Sequence, residues 1–162
     1  MTEKKKNLSE FIPFEFSSAN KVEIGIVVSE WNDRITDSLL DGAKKTLLEC
    51  GVREEKIHVR HVPGSFELPL GAKWMLKHTN VDAVICIGCI IQGETRHFDF
   101  IAQAVAEGIT NVGLEFSKPA IFSVLTCNTM EQAEDRAGGK HGNKGVEGAV
   151  SALKMLALKE SL

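Results

Sequence analysis

AVICIGCIIQGETRHFDFIAQAVAEGITNV, residues 83–112, reads as a strand, a loop and a helix in succession. Ala83 to Ile91 is an unbroken apolar run without charge, the pattern of a strand buried on both faces. Gln92 to Asp99 is mostly polar, with a glycine at its second position. After it Ile101, Val105, Ile109 and Val112 fall three and four residues apart, on one face of a helix. A doubly buried strand followed at once by an amphipathic helix is the unit of a parallel sheet covered by helices.

The same alternation extends in both directions. Upstream, Lys21 to Ser29 holds the apolar run Ile24 to Val28, and Asp33 to Cys50 carries Ile35, Leu39, Ala43 and Leu47 at helical spacing, stopped by Gly51. Lys56 to Val62 is a second strand. Ser65 is expected to cap a helix running to about Lys77, with Pro69 tolerated in its first turn. Downstream, Ala120 to Thr126 is the fourth strand. Thr129 and Gln132 form a capping-box pattern for a helix ending near Ala137. Gly138-Gly139 and His141-Gly142-Asn143 mark a turn, and a last helix carries Val146, Val150, Leu153 and Ala157. Phe11, Ile12, Phe14 and Phe16 lack a helical stripe, so the leader, residues 1–20, is expected to add an edge strand, on a neighbouring subunit. Residues 21–162 then form one domain.

At 162 residues, 43% hydrophobic and 25% charged, the chain suits an ordinary globular fold with one substantial core. A net charge of -3 gives no electrostatic reason to expect nucleic acid as partner. No apolar segment reaches the length of a membrane span, and no signal-like apolar region follows Lys4 to Lys6, so a cytoplasmic protein is expected. Cys86 and Cys89 spell CxxC, yet residues three apart on a strand point to opposite faces. Core packing is therefore expected rather than redox or metal chemistry. His58, His61, His78 and His141 show no partner pattern.

Open parallel sheets bind ligands beyond the C-terminal ends of their strands. Four polar clusters fall there: Glu30 to Asp33, Pro63 to Glu67, Gln92 to Asp99 and Cys127 to Thr129. In the third, Gly93 permits close backbone approach, Thr95 supplies a hydroxyl, and the amides at the helix start suit an anion. His97, beside the positive end of the helix dipole, is disposed to stay neutral and to move protons, with Asp99 as its orienting group. From this loop alone, a capped helix with a surface histidine explains the residues equally well. Trp31 offers a ring to stack on a flat heterocycle and Asn32 a polar edge, though such a Trp also serves to pack a loop. Arg136 and Lys144 flank the glycine-rich turn, where a guanidinium and an ammonium suit phosphate or carbonyl oxygens.

VPGSFELP at 62–69, GETRHFDF at 93–100 and AGGKHGNKG at 137–145, in that order, resemble the motifs of the lumazine synthase family. The resemblance runs from about Val22 to Leu156. It implies a flavodoxin-like three-layer α/β/α sandwich on a four-stranded parallel sheet. It further implies condensation of 5-amino-6-(D-ribitylamino)uracil with 3,4-dihydroxy-2-butanone 4-phosphate to 6,7-dimethyl-8-ribityllumazine, in riboflavin biosynthesis, with no cofactor or metal.

Residue by residue, the resemblance makes Trp31 the stacking ring, where the family more often has Phe. It gives the ribityl hydroxyls to Asn32 and Glu67, with Ser65 and Phe66 shaping that wall. Ile90 and Ile91 would offer backbone groups to the heterocycle. Gly93, Glu94 and Thr95 would line the phosphate site, and His97 would transfer protons. Phe122, Arg136 and Lys144 would enter from an adjacent subunit of a pentamer, and the short turn before Gly142 resembles members that assemble into icosahedral shells. A riboflavin synthase is the implied partner. Two other readings compete: a flavin-binding shell protein without turnover, and a dismutase that forms riboflavin from two lumazines.

Overall fold

The computed structural model describes residues 9–10 and 16–162. Four parallel strands, β1 (Ile24–Ser29), β2 (Ile57–Val62), β3 (Ala83–Ile91) and β4 (Ala120–Cys127), form one sheet in the order β2-β1-β3-β4. Among the described residues five α-helices follow in order: α1 (Asp33–Glu49), α2 (Leu68–His78), α3 (His97–Phe116), α4 (Met130–Asp135) and α5 (Lys144–Ser161). None of the described helices is long and apolar enough to cross a membrane.

The strand residues alternate between two cores. Ile24, Ile26 and Val28 of β1, with Ile85, Ile87 and Cys89 of β3, pack among Leu39, Ala43, Leu47, Leu153 and Leu156 of α1 and α5. Val27, Val84 and Cys86 face Leu68, Ala72, Leu76, Val105 and Ile109 of α2 and α3. Both faces are covered, which is why β1 and β3 read as continuous apolar runs instead of alternating ones. Cys86 and Cys89 lie in opposite cores, as their spacing requires, and burial pushes both thiols up to about 12.

The structure departs from the sequence reading at the hairpin and at Phe16. The helix opened by Thr129 ends at Asp135, before Ala137, because Ala137–Gly139 pairs antiparallel with Gly142–Asn143 as a short hairpin, β5 and β6. Thr129 does cap α4, accepting from the Gln132 amide at 3.2 Å, while the Gln132 side chain reaches back to the Asn128 amide at 2.8 Å. Of the leader, Phe11, Ile12 and Phe14 lie outside the described residues. Phe16 is buried in the chain's own α1/α5 core beside Ala19.

The buried face of α5 is Gly145, Gly148, Ala149, Val150, Ala152, Leu153 and Leu156, whereas Val146 is only half-buried. Close approach explains the small residues. A Cβ on Gly145 would stand 1.8 Å from the Leu39 carbonyl oxygen, and one on Gly148 would stand 2.0 Å from Ser123 Oγ. Asn143 caps the helix, accepting from the amides of Gly145 at 2.8 Å and Val146 at 3.2 Å and donating to the Ser38 carbonyl at 3.0 Å. Gly145→Ala is expected to cost about 2–3 kcal/mol, since the obstructing atom is backbone that cannot rotate away. Denaturant unfolding would read this, and an unchanged midpoint would refute the close packing.

Candidate active site

The sheet order makes β1 and β3 neighbours whose following helices cover opposite faces, so their C-terminal ends diverge into a crevice. A cavity of about 440 Å³ opens there. Its walls include Trp31, Asn32, Ser65, Phe66, Glu67, Ile90, Ile91, Gly93, Thr95 and His97, drawn from three separate loops. Gly64, Cys89, Phe98 and Ile101 also line it, although the sequence reading gave none of them a role in the site. Ile101 was indistinguishable from the core stripe of its helix. Phe98 carried only its adjacency to His97.

Main-chain bonds lock the first two loops together: Glu30 donates to the Val62 carbonyl at 2.8 Å and Trp31 to that of Pro63 at 3.2 Å. Trp31 is left 72% exposed, a free aromatic face at the cavity mouth. Asn32 adopts the left-handed conformation, φ 60° and ψ 45°, which Asn tolerates better than most residues with a Cβ. Its side-chain Nδ2 donates to the Cys89 carbonyl at 2.9 Å, tying the first loop to β3. One of the amide's two N–H groups is thereby used within the chain, and Oδ1 remains as an acceptor for a ligand.

Ser65 does not cap α2. It begins a short 3₁₀ turn, Ser65–Glu67, and the helix starts at Leu68 with Pro69 in its first turn. Its hydroxyl is buried with no hydrogen-bond partner among the described residues, close to Leu68 and to Gly88 of β3. An unpaired buried hydroxyl is unfavourable by about 1 kcal/mol or more. Ser65→Ala is therefore expected to raise the thermal midpoint by roughly 2–4 °C. A lower midpoint on calorimetry would show that the hydroxyl is paired in solution.

In the third loop, Gln92 donates its main-chain amide to the Cys127 carbonyl at 2.8 Å, anchoring the loop to β4. The amides of Glu94, Thr95 and Arg96 have no acceptor among the described residues. They precede α3, whose dipole adds positive potential at the same place. His97 is the first residue of α3, and its main-chain amide donates to Thr95 Oγ1 at 3.3 Å. Asp99 does not orient His97. It pairs with Arg96, Nε to Oδ2 3.5 Å, and Arg96 lies 5.8 Å from the centre of the Phe100 ring. Residues two apart on a helix point about 200° apart, so the Asp99 carboxylate faces away from the imidazole.

Phe122, Arg136 and Lys144 do not line this cavity. Phe122 leans on the α2/α3 core from β4. Arg136 closes α4, and its carbonyl accepts from the Lys144 amide at 2.9 Å across the base of the hairpin. The two residues are thus neighbours along the main chain, with Lys144 Nζ 2.8 Å from the Glu147 carboxylate. Glu94 is exposed on the loop without lining the cavity. At the opposite end of the sheet, His58 pairs with Glu23 at 3.1 Å, and Lys56 and then His58 hold that carboxyl below its ordinary range.

Residues 21–160 match the family model for 6,7-dimethyl-8-ribityllumazine synthase. A protein of that name from Cytophaga hutchinsonii is 56% identical over 157 residues, covering 97% of this chain and 98% of the relative. Another, from Flavobacterium johnsoniae, is 51% identical over 160 residues, 99% of this chain and 84% of the relative. A third, from Parabacteroides distasonis, is 50% identical over 151 residues, 93% and 94% of the two chains. With the parallel sheet and the crevice at its switch point in agreement, the chain belongs to the 6,7-dimethyl-8-ribityllumazine synthase family.

Proposed function

We propose that the cavity is one half of an active site that condenses 5-amino-6-(D-ribitylamino)uracil with 3,4-dihydroxy-2-butanone 4-phosphate. The products are 6,7-dimethyl-8-ribityllumazine, phosphate and water, in riboflavin biosynthesis. The observation that carries the reading is the run of unpaired amides at Glu94, Thr95 and Arg96, in a loop whose Gly93, Thr95 and His97 line the cavity together with Trp31 and Glu67. A phosphate, a proton shuttle and a stacking ring are what this condensation requires.

Trp31 stacks on the pyrimidine, and Asn32 Oδ1 and Glu67 take the ribityl hydroxyls. Ser65 and Phe66 shape that wall, and the main chain at Ile90 and Ile91 meets the heterocycle edge. Gly93 fits the phosphate loop, because a Cβ there would meet nothing within 4 Å and the glycine leaves the space to ligand. The amine of the uracil attacks the ketone and loses water to an imine. Proton removal at the adjacent carbon expels phosphate and leaves an enol, which tautomerises to a ketone. The ribitylamino nitrogen attacks that carbonyl, and a second water leaves as the ring closes. His97 moves these protons while the loop holds the phosphate, so catalysis rests on positioning and proton transfer.

Phe122, Arg136 and Lys144 act on a neighbouring subunit's cavity, Arg136 at the phosphate and Lys144 and Phe122 at the pyrimidine. The assembly is a pentamer or an icosahedral shell of pentamers. The leader segment before Phe16 adds a strand to a neighbouring subunit's sheet, for which the half-exposed edge strand β2 is suited. The cytoplasm is the proposed compartment, in keeping with four free cysteines. A riboflavin synthase consuming the lumazine is the proposed partner.

The test is to mix the two substrates with the protein and follow lumazine absorbance and phosphate release together. Neither rising above the uncatalysed background would refute the reading. The exposed Trp31 ring favours one alternative, a flavin-binding protein without turnover, which tight flavin binding with no phosphate release would establish.

A further inference from the structure

Gln92 precedes the phosphate loop without lining the cavity, and no part of the mechanism above uses it. Its side-chain Nε2 lies 3.1 Å from the Gly93 carbonyl oxygen and 3.5 Å from that of Thr95. Both neighbours are acceptors, so the amide can only present its nitrogen to them. Every peptide in the described chain is trans. In a trans peptide the carbonyl and the following N–H point in opposite directions. Drawing the Gly93 and Thr95 carbonyls toward Gln92 therefore turns the Glu94 and Arg96 amides the other way. Those two are among the loop amides from Gly93 to Arg96 that have no acceptor among the described residues.

We propose that Gln92 is a positioning residue: its side-chain amide gathers the Gly93 and Thr95 carbonyls and so aims the Glu94 and Arg96 amides at the phosphate of the ketose substrate. The proposal rests on the reading of Gly93 to Thr95 as the phosphate site. The main-chain bond from Gln92 to Cys127 fixes the base of the clamp on β4, so the side chain orients a loop already held at one end. The role requires a donor and not the amide itself. A lysine reaches the same carbonyls with three N–H groups, a methionine of similar length offers none, and a glutamate would repel the carbonyls and the phosphate alike.

The experiment compares wild type with Gln92→Met, Gln92→Lys and Gln92→Glu by steady-state kinetics, with inorganic phosphate as a competitive probe. Gln92 is exposed, so the three variants are expected to fold, and their thermal midpoints verify it. The methionine variant is expected to raise KM for the ketose phosphate and Ki for inorganic phosphate in parallel, by about tenfold, the size of one charge-assisted hydrogen bond. KM for the ribitylaminouracil should stay within twofold, the lysine variant should recover most of the loss, and the glutamate variant should lose more. Wild type inhibited by phosphate with an equal Ki in the methionine variant overturns the clamp alone. Wild type insensitive to phosphate overturns the assignment of the loop and the clamp with it.

Discussion

His97→Ala is expected to lower kcat by about 10²- to 10³-fold while leaving the affinity for a non-reacting substrate analogue within a fewfold. That loss corresponds to roughly 3–4 kcal/mol of transition-state stabilisation. The asymmetry follows from where the residue sits. The imidazole is exposed at the first position of α3, and no side-chain bond holds it among the described residues, so its removal leaves no cavity and frees no buried partner. The unpaired loop amides at Glu94 to Arg96 belong to the main chain and survive the substitution. Ground-state binding should therefore persist, and only the proton-transfer steps should slow. Single-turnover kinetics alongside analogue titration would measure both quantities. Equal losses in rate and affinity would make His97 a binding residue, and an unchanged rate would remove it from the reaction.

The second large effect concerns Arg136. Arg136→Ala is expected to raise KM for the ketose phosphate by about 10- to 100-fold, the range for a lost hydrogen bond to a charged group of about 1.5–3 kcal/mol. The sharper measurement is on mixtures. Arg136 does not line the cavity that holds His97 of the same chain, so the complete site is expected to combine His97 of one subunit with Arg136 of the next. Random co-assembly of His97→Ala and Arg136→Ala chains in a closed ring should restore both groups at about a quarter of the interfaces. Assayed at ketose phosphate well below KM, two weakly active variants should then recover about a quarter of wild-type activity when refolded together. Activity no greater than the sum of the two would place the whole site within one chain.

Much of the fold was legible along the chain, and particular residues show why. Ile24 to Val28 and Ala83 to Ile91 are apolar without alternation because α1 and α5 cover one face of those strands while α2 and α3 cover the other. Strands of that kind belong inside a parallel sheet, and the loops at their C-terminal ends are where ligands bind. The CxxC at Cys86 and Cys89 was separable from redox chemistry by strand geometry alone. Elsewhere, local pattern misled. Ser65 had the residue type of a cap but turns its hydroxyl into the interior. Asp99 stood near His97 in sequence but pairs with Arg96, because helical rotation separates positions that are two apart. On α5 the apolar stripe was visible, yet contact distance chose the buried face, and only glycine fits against Leu39 and Ser123.

The sequence by itself determined the element types, the parallel α/β class and the ends of the strands at which the polar clusters gather. Those properties depend on the spacing of neighbours along a chain, and such periodicities are local. Tertiary structure alone decided which residues meet. The order β2-β1-β3-β4 brings Trp31, Glu67 and His97 around one cavity although 66 positions separate the first from the last. It also seats the Asn32 amide on the Cys89 carbonyl and leaves Arg136 and Lys144 together on the hairpin, away from that cavity. Contacts between distant segments follow from strand order and helix packing, which are set by how whole faces are buried and carry no signature at the residues they bring together.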